Sequence, residues 1–417
     1  MSAFTPDWKL TVGGVDYTDI AISDIQHEAG RTDIYQQPSP SYCSITLIAL
    51  NGQTLPFDIN DSFDLQIKDS TGSYVSLFGG DITDVTVEVG STGSAATVVQ
   101  YTLIVMGSLV KLAKEIWDDN ISQDEDGNQI YEILSSVLLG TWNDVPSATT
   151  WATYNATETW ANAVNLGLGE IDQPGLYTMT AQSSLTDTIY NVVADIATSA
   201  FGYLYEDNAG NIGYADADHR QNYLLTNGYV ELDARHALGA GLSTIMRSAD
   251  VRNDIFINYG NNFNSQVTAI DTASIALYGY KSESINSRVQ GAVDAQAIAD
   301  RYIDQRAYPI PAFQSITFPI TSQEIDNADR DNLLAVFMGM PVHIQNLPNQ
   351  ISGGDFEGYV EGWSWSTRFN ELFLTINVSP VAFSQVAMRW NTTPATEAWN
   401  TLSPTLTWEY ATIISEE

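Results

Sequence analysis

Alternating apolar and polar residues dominate the first hundred positions. In KLTVGGVDYT, Leu10 and Val12 stand opposite Val15 and Tyr17 across Gly13-Gly14, a two-residue glycine turn whose positive φ angles suit a primed β-hairpin. Further alternating runs follow in SYCSITLIAL at 41–50 and in FDLQIKDSTGSYVSLF, where Phe63, Leu65 and Ile67 share one face ahead of a DSTG turn. DITDVTVEVG and TVVQYTLIVMG form a last pair, joined by a Ser/Gly-rich loop. Side chains that change faces at this spacing predict a small antiparallel barrel or sandwich over 1–107.

The period changes near residue 108. Leu109, Leu112, Ala113 and Ile116 recur at i, i+3, i+4 and i+7, which predicts a helix, and a second is expected over QIYEILSSVLLG. Leu185, Ile189, Val192, Val193 and Ile196 form the stripe of a third, with Ser183 or Ser184 as N-cap. The hairpin FGYLYEDNAGNIGY follows at once, its aromatic positions inward and Asp207-Asn208-Ala209-Gly210 as its turn. NDIFINYG and ASIALYGYKSESI read as strands. The next helix carries Ala295, Ile298, Ala299, Tyr302, Ile303 and Arg306 on one face until Pro309 and Pro311 end it. Alternation returns in QSITFPI, MPVHIQNL, FEGYVEGWSWST and LFLTINVSP.

The expected fold is therefore mainly β with an α+β middle. A first β domain covers 1–107, a helical segment and Trp-repeat arm 108–182, an α+β domain 183–306, a second β domain 307–385 and a C-terminal Trp-repeat arm 386–417.

The two arms carry a repeat of their own. Trp142, Trp151 and Trp160 are nine residues apart, and so are Trp390, Trp399 and Trp408, which places six of the ten tryptophans in segments too polar to build a core alone. An odd spacing alternates faces of a strand, so each Trp is expected to follow a turn and plug onto another surface. That surface is the chain's own domains, a neighbouring subunit, for which Trp is a favoured anchor, or a sugar ring.

Charge narrows the functional classes. Sixteen Lys and Arg stand against 51 Asp and Glu, a net charge of −35, and no Lys or Arg occurs from Glu115 through His219. Nucleic-acid affinity comes largely from cations that neutralise phosphates, so no sequence-specific nucleic-acid binding is expected. The acidic surface either solubilises the chain or lets a polyanion pass without sticking. Mean hydropathy is −0.11, and no run approaches the ~18 apolar residues of a membrane span, so no stable membrane insertion is expected. MSAFTPDWKL shows no signal or transit pattern. Cys43 is the lone cysteine, so an intrachain disulfide and a multi-cysteine metal site are both excluded; its strand position reads as core.

Candidate chemistry is sparse. Asp216, Asp218 and His219 follow the aromatic hairpin and offer a carboxylate pair beside an imidazole, but they read as its solvated rim. DDNISQDEDGNQ resembles a calcium loop only loosely, because Asp124, Asp126 and Gly127 would put Ser122 first and Ile133 twelfth, where carboxylates belong. No HExxH, Cys/His cluster, P-loop, G-x-S-x-G elbow or dinucleotide fingerprint is present. No catalytic residue, metal site or cofactor is assigned, and the chain is not expected to be an enzyme.

The order of these pieces is more informative. ITDVTVEVG with YTLIVMGSLVKLAK, FGYLYEDNAGNIGY, RNDIFINYG, DAQAIADRYIDQRAYPIPAFQSITF, GMPVHIQNLP and FEGYVEGWSWSTRFNELFLTINVSP together resemble the tail-hub, or minor tail, proteins at the tail tip of bacteriophages, related to the baseplate hub of contractile tails. The resemblance spans most of 8–385. It implies two tail-tube-like β domains, and a structural virion protein whose three copies form a pseudo-sixfold ring, adapting a sixfold tube to a threefold tip and lining the DNA-ejection channel. It implies as partners further copies of the chain, distal tail protein or tail-tube subunits, tape-measure protein, and host-binding tip or fibre proteins. The six tryptophans become subunit or partner contacts. The alternative is a carbohydrate-binding or glycan-hydrolysing tail protein with tryptophan platforms.

Overall fold

The computed structural model describes residues 4–138 and 168–384, apart from 19, 33, 35, 51–53, 94–95, 184–185, 239–241, 243, 311, 314 and 369–370. Strands β1 (Trp8–Val12) and β2 (Val15–Tyr17) pair with Leu10 opposite Tyr17 and Val12 opposite Val15, and the turn glycines adopt the positive φ that the hairpin requires. Strands β3 (Ala21–Gly30), β4 (Tyr42–Leu50), β5 (Ser62–Lys68), β6 (Tyr74–Gly93) and β7 (Ala96–Met106) follow. They run antiparallel in the order β3-β4-β7-β6-β5-β1-β2. Leu10, Ile45, Leu65, Leu103 and Val105 fill the core between their inner faces, and Cys43 is sealed among them. Hydrophobic burial of this kind supplies most of the stability of a β unit.

Helix α1 (Leu109–Lys114) ends two residues short of the expected stripe. Glu115 is extended, and Ile116, expected on the buried face, is 57% exposed and pairs with Thr188. Next come α2 (Asp126–Leu138), β8 (Leu168–Ile171) and α3 (Ile189–Ser199). The cap of α3 is Thr188, whose hydroxyl accepts from the Asn191 amide at 3.3 Å. Neither proposed serine takes that place: Ser183 precedes the helix, and Ser184, like Leu185, lies outside the described residues.

Strands β9 (Tyr203–Glu206) and β10 (Ile212–Ala215) form the expected hairpin, closed by Asp207 N to Asn211 O at 2.9 Å with Gly210 at φ 84°. Beyond them lie α4 (His219–Asn227), β11 (Val230–Asp233), β12 (Asp254–Tyr259) and β13 (Ser265–Ile270). The stretch expected as one strand, ASIALYGYKSESI, is instead α5 (Thr272–Tyr278) followed by β14 (Ser282–Asn286). Asp271 decides this, because its carboxylate caps the Ser274 amide at 2.9 Å, and Gly279 at φ 73° stops the helix. Helix α6 (Ala292–Arg306) buries the predicted Ala295, Ile298, Ala299, Tyr302, Ile303 and Arg306.

The last elements are β15 (Ser315–Pro319), α7 (Asn327–Leu334), β16 (Pro341–Gln345), β17 (Phe356–Arg368) and β18 (Glu371–Pro380). They do not stand apart from the first strands. β3 pairs antiparallel with β17, from Gly30 opposite Gly362 to Gln26 opposite Ser366, so that both β units belong to one twelve-stranded sheet among the described residues. The second core, around Phe318, Val342, Trp365 and Ile376, also takes in Ile67 and Leu77 from the first unit and Tyr203 and Tyr205 from the hairpin. A third core joins α1, α2, α3 and α6 to β12.

Candidate functional site

The seam between β3 and β17 carries a buried cluster of charged side chains. β17 bulges between Val360 and Gly362, so Glu361 falls out of the ladder register and its side chain is re-aimed. The chain of β3 crosses this bulge closely: Arg31 N donates to Glu361 O at 2.8 Å, and Gly30, at φ 78°, has no room for a Cβ against Glu361 O. Two arginines then converge on one carboxylate. Arg31 Nε donates to Glu361 Oε2 at 2.7 Å, while the Arg220 fork donates to Oε1 at 2.6 Å and Oε2 at 2.9 Å. Ser379 Oγ adds a bond to Oε1 at 2.5 Å. Both guanidiniums also lie over the Tyr203 ring, at 4.4 Å for Arg220 and 5.3 Å for Arg31. Burial opposes ionisation of Glu361, yet Arg220 and Arg31 together hold its carboxyl well below the ordinary carboxylate range.

The β9–β10 hairpin links this seam to everything else. Towards the first β unit and the start of α1, Glu206 accepts from the amides of Ser41, at 2.7 Å, and Leu109. Gln37 brackets the start of β9, donating to Gly202 O and accepting from Leu204 N, each at 3.0 Å. The turn backbone at Ala209 and Gly210 lies against Gly79 too closely for any side chain there. Towards the second unit, Asn208 donates to Val336 O at 2.7 Å. Towards the helices, Tyr214 Oη donates to Asp126 Oδ2 at 2.5 Å, and Asp126 Oδ1 accepts from Leu176 N and Tyr177 N, both at 2.8 Å. Asp126 thus opens α2 and faces inward with both oxygens engaged, which is not how a calcium loop presents its carboxylates.

The expectation that Asp216, Asp218 and His219 form a solvated rim is corrected. His219 is 1% exposed, and its Nδ1 lies 2.8 Å from Asp172 Oδ2. Asp216 Oδ1 accepts from the amides of Asp218 and His219, both at 2.9 Å, and so starts α4. Asp218 pairs with Arg301 at 2.5 Å. Burial, with the Asp172 charge close by, lifts the Asp216 carboxyl to about 8, and burial lifts Asp126 to about 6. Sequence reading missed these roles because Asp172, Arg31, Arg301 and Glu361 are remote in the chain. The signal that was present is local: charged residues next to aromatic strands that bury every position.

Chemically, the carboxylates of this junction are acceptors for backbone amides and guanidiniums, an arrangement that fixes elements to one another. A second cluster, His236, Asp326 and Asp329, brings ligand atoms within 4.8 Å of one another. His236 Nδ1 meets Asp329 Oδ2 at 2.6 Å, and Asp326 Oδ1 caps the Asp329 amide at 2.9 Å, so a His–Asp pair and a helix cap account for the grouping. Trp142, Trp151, Trp160, Trp390, Trp399 and Trp408 lie outside the described residues.

The fold and the junction define a mainly β protein built on one large mixed sheet with a few helices, braced by internal ion pairs. Solved structures with this fold include two proteins described as tail proteins. The 43 kDa tail protein of prophage MuSo2 from Shewanella oneidensis matches with a TM-score of 0.56 at 12% identity, over 91% of this chain and 99% of that one. The tail protein from Neisseria meningitidis MC58 matches with a TM-score of 0.57 at 10% identity, over 91% of this chain and 98% of that one. No protein-family model and no curated protein sequence matches the chain.

Proposed function

We propose that this chain is a structural, non-enzymatic component of a phage-type tail: a homotrimeric hub at the tail tip. The observation that carries the reading is the β3–β17 pairing, which sets two antiparallel β units side by side in one sheet within a fold shared with tail proteins. Three copies would place six such units around a bore, the number needed to meet a sixfold tube, and head-to-tail contacts of this kind close into rings. A trimer would carry about −105, three times the −35 of one chain, a charge suited to letting DNA pass without adhesion. Its neighbours would be tail-tube or distal tail subunits on one face, tape-measure protein in the bore and host-binding components beyond.

Sedimentation of the purified chain, with gold-labelled antibody on tailed particles, tests this reading. A trimer and label at the tail tip are expected; a stable monomer at high concentration and unlabelled tips would refute it. The tryptophan arms are proposed as subunit contacts. Trp151→Ala or Trp399→Ala should then release monomers, whereas loss of a fluorescence response to host polysaccharide in an intact oligomer would favour the glycan-binding alternative.

A further inference from the structure

Beside the seam lies a partly open cavity of about 240 Å³, bordered by the ends of β3, α3, α6 and the segment after β18. Its lining is anomalous for so acidic a chain. Sixteen basic residues in 417 would place fewer than one among eighteen lining positions, yet Arg31, Arg220, Arg301 and Arg306 are all there. Asp216 and Glu283 are the two carboxylates among the lining residues, and both are engaged: Asp216 by the amides that start α4, Glu283 by Arg252 and by Tyr302 Oη at 3.2 Å. Arg306 is 4% exposed and stacks at 3.8 Å on Phe383. The Tyr203 hydroxyl, on a residue 3% exposed, lies beside the Arg220 guanidinium and meets no hydrogen-bond acceptor among the described residues.

We propose that this cavity binds a compact oxyanion, a carboxylate or phosphate group, held by Arg306, by the charge of the Arg31–Arg220 pair in excess of the one Glu361 carboxylate they share, and by the Tyr203 hydroxyl, while Arg301 stays paired with Asp218. Guanidinium forks match both groups in geometry, and a partly enclosed site strengthens such contacts relative to water. The volume lies below the ~300–1,000 Å³ of pockets for drug-sized ligands, so the anion is small or is the tip of a longer chain. Because Arg31 comes from the first β unit, Tyr203 from the hairpin, Arg306 from α6 and Phe383 from the end of the second unit, the ligand would brace all of them. Occupancy would then raise stability by mass action. The proposal does not depend on the tail reading.

The test is calorimetric titration and thermal unfolding of the full chain in a zwitterionic buffer. The probes are inorganic phosphate, succinate and a hexapeptide containing Glu-Glu, with sodium chloride at matched ionic strength as reference. Saturable one-to-one binding with Kd below about 1 mM is expected, with a raised Tm. Ser384 lines the cavity and accepts from Arg220 at 3.2 Å, so Ser384→Asp supplies an internal carboxylate. That variant should keep or raise the ligand-free Tm and weaken external binding at least about tenfold, and Arg306→Gln should weaken it similarly. Tighter binding of phosphate or succinate identifies a free ion as the source; tighter binding of the peptide identifies an acidic protein segment. No saturable response beyond sodium chloride, or binding unchanged in Ser384→Asp, overturns the proposal.

Discussion

In the first β unit, alternate side chains of β4, namely Cys43, Ile45, Leu47 and Ala49, are apolar and sealed, whereas around the hairpin the sealed groups are Glu206, His219, Arg220 and Glu361. The two regions are equally dry and fail differently. An apolar core loses stability in proportion to the volume removed. A buried ion cluster fails abruptly when one member goes, because the remaining charge is stranded.

Removing the shared carboxylate should break the comparison most sharply. Glu361→Gln leaves Arg31 and Arg220 without a counter-charge, and chemical denaturation should show a loss of about 3–5 kcal/mol. Replacing Arg31, Arg220 and Glu361 together by Met or Leu should cost less than that single change, since no charge then remains unpaired. Ile45→Val, by contrast, should cost only about 1 kcal/mol by the same measurement.

Two further tests lie in pH dependence, and their signs oppose. His27 is 2% exposed at the β3–β17 seam, its ring 4.9 Å from that of Phe78, and burial pushes its imidazole down to about 3. The neutral form is the one the fold accepts, so its contribution is whole above the ordinary value of about 6.5 and is lost as pH falls from there towards 3. Asp216, lifted by burial and by Asp172, is accepted as the protonated form. Its contribution is whole below the ordinary value of about 3.9 and is lost as pH rises through about 8. His27→Leu should therefore flatten the acid side of a Tm-versus-pH curve. Asp216→Asn, which keeps the acceptor for both amides, should flatten the side between pH 4 and 8. A curve unchanged in either variant would remove that group from the account.

These contrasts also mark where sequence was informative. Leu10, Val12, Phe63, Leu65 and Ile67 declare their strands by period alone, and the hairpin turn at 207–210 follows from its residue types. Helix α5 escapes sequence reading because a short apolar run is ambiguous without its cap, and Asp271 is one residue among many acids. The junction was hidden for a different reason. A buried Arg–Glu–Arg cluster requires partners at 31, 220 and 361, and no local pattern joins positions so far apart. The bulge at Glu361 was equally invisible, since only pairing with a neighbouring strand reveals an extra residue.

Averaged electron micrographs of the purified oligomer test the central claim most directly. A trimeric hub should appear as a threefold annulus in which six β units alternate around an acidic bore. Units that face away from one another, or a bore lined by the few basic residues, would contradict it.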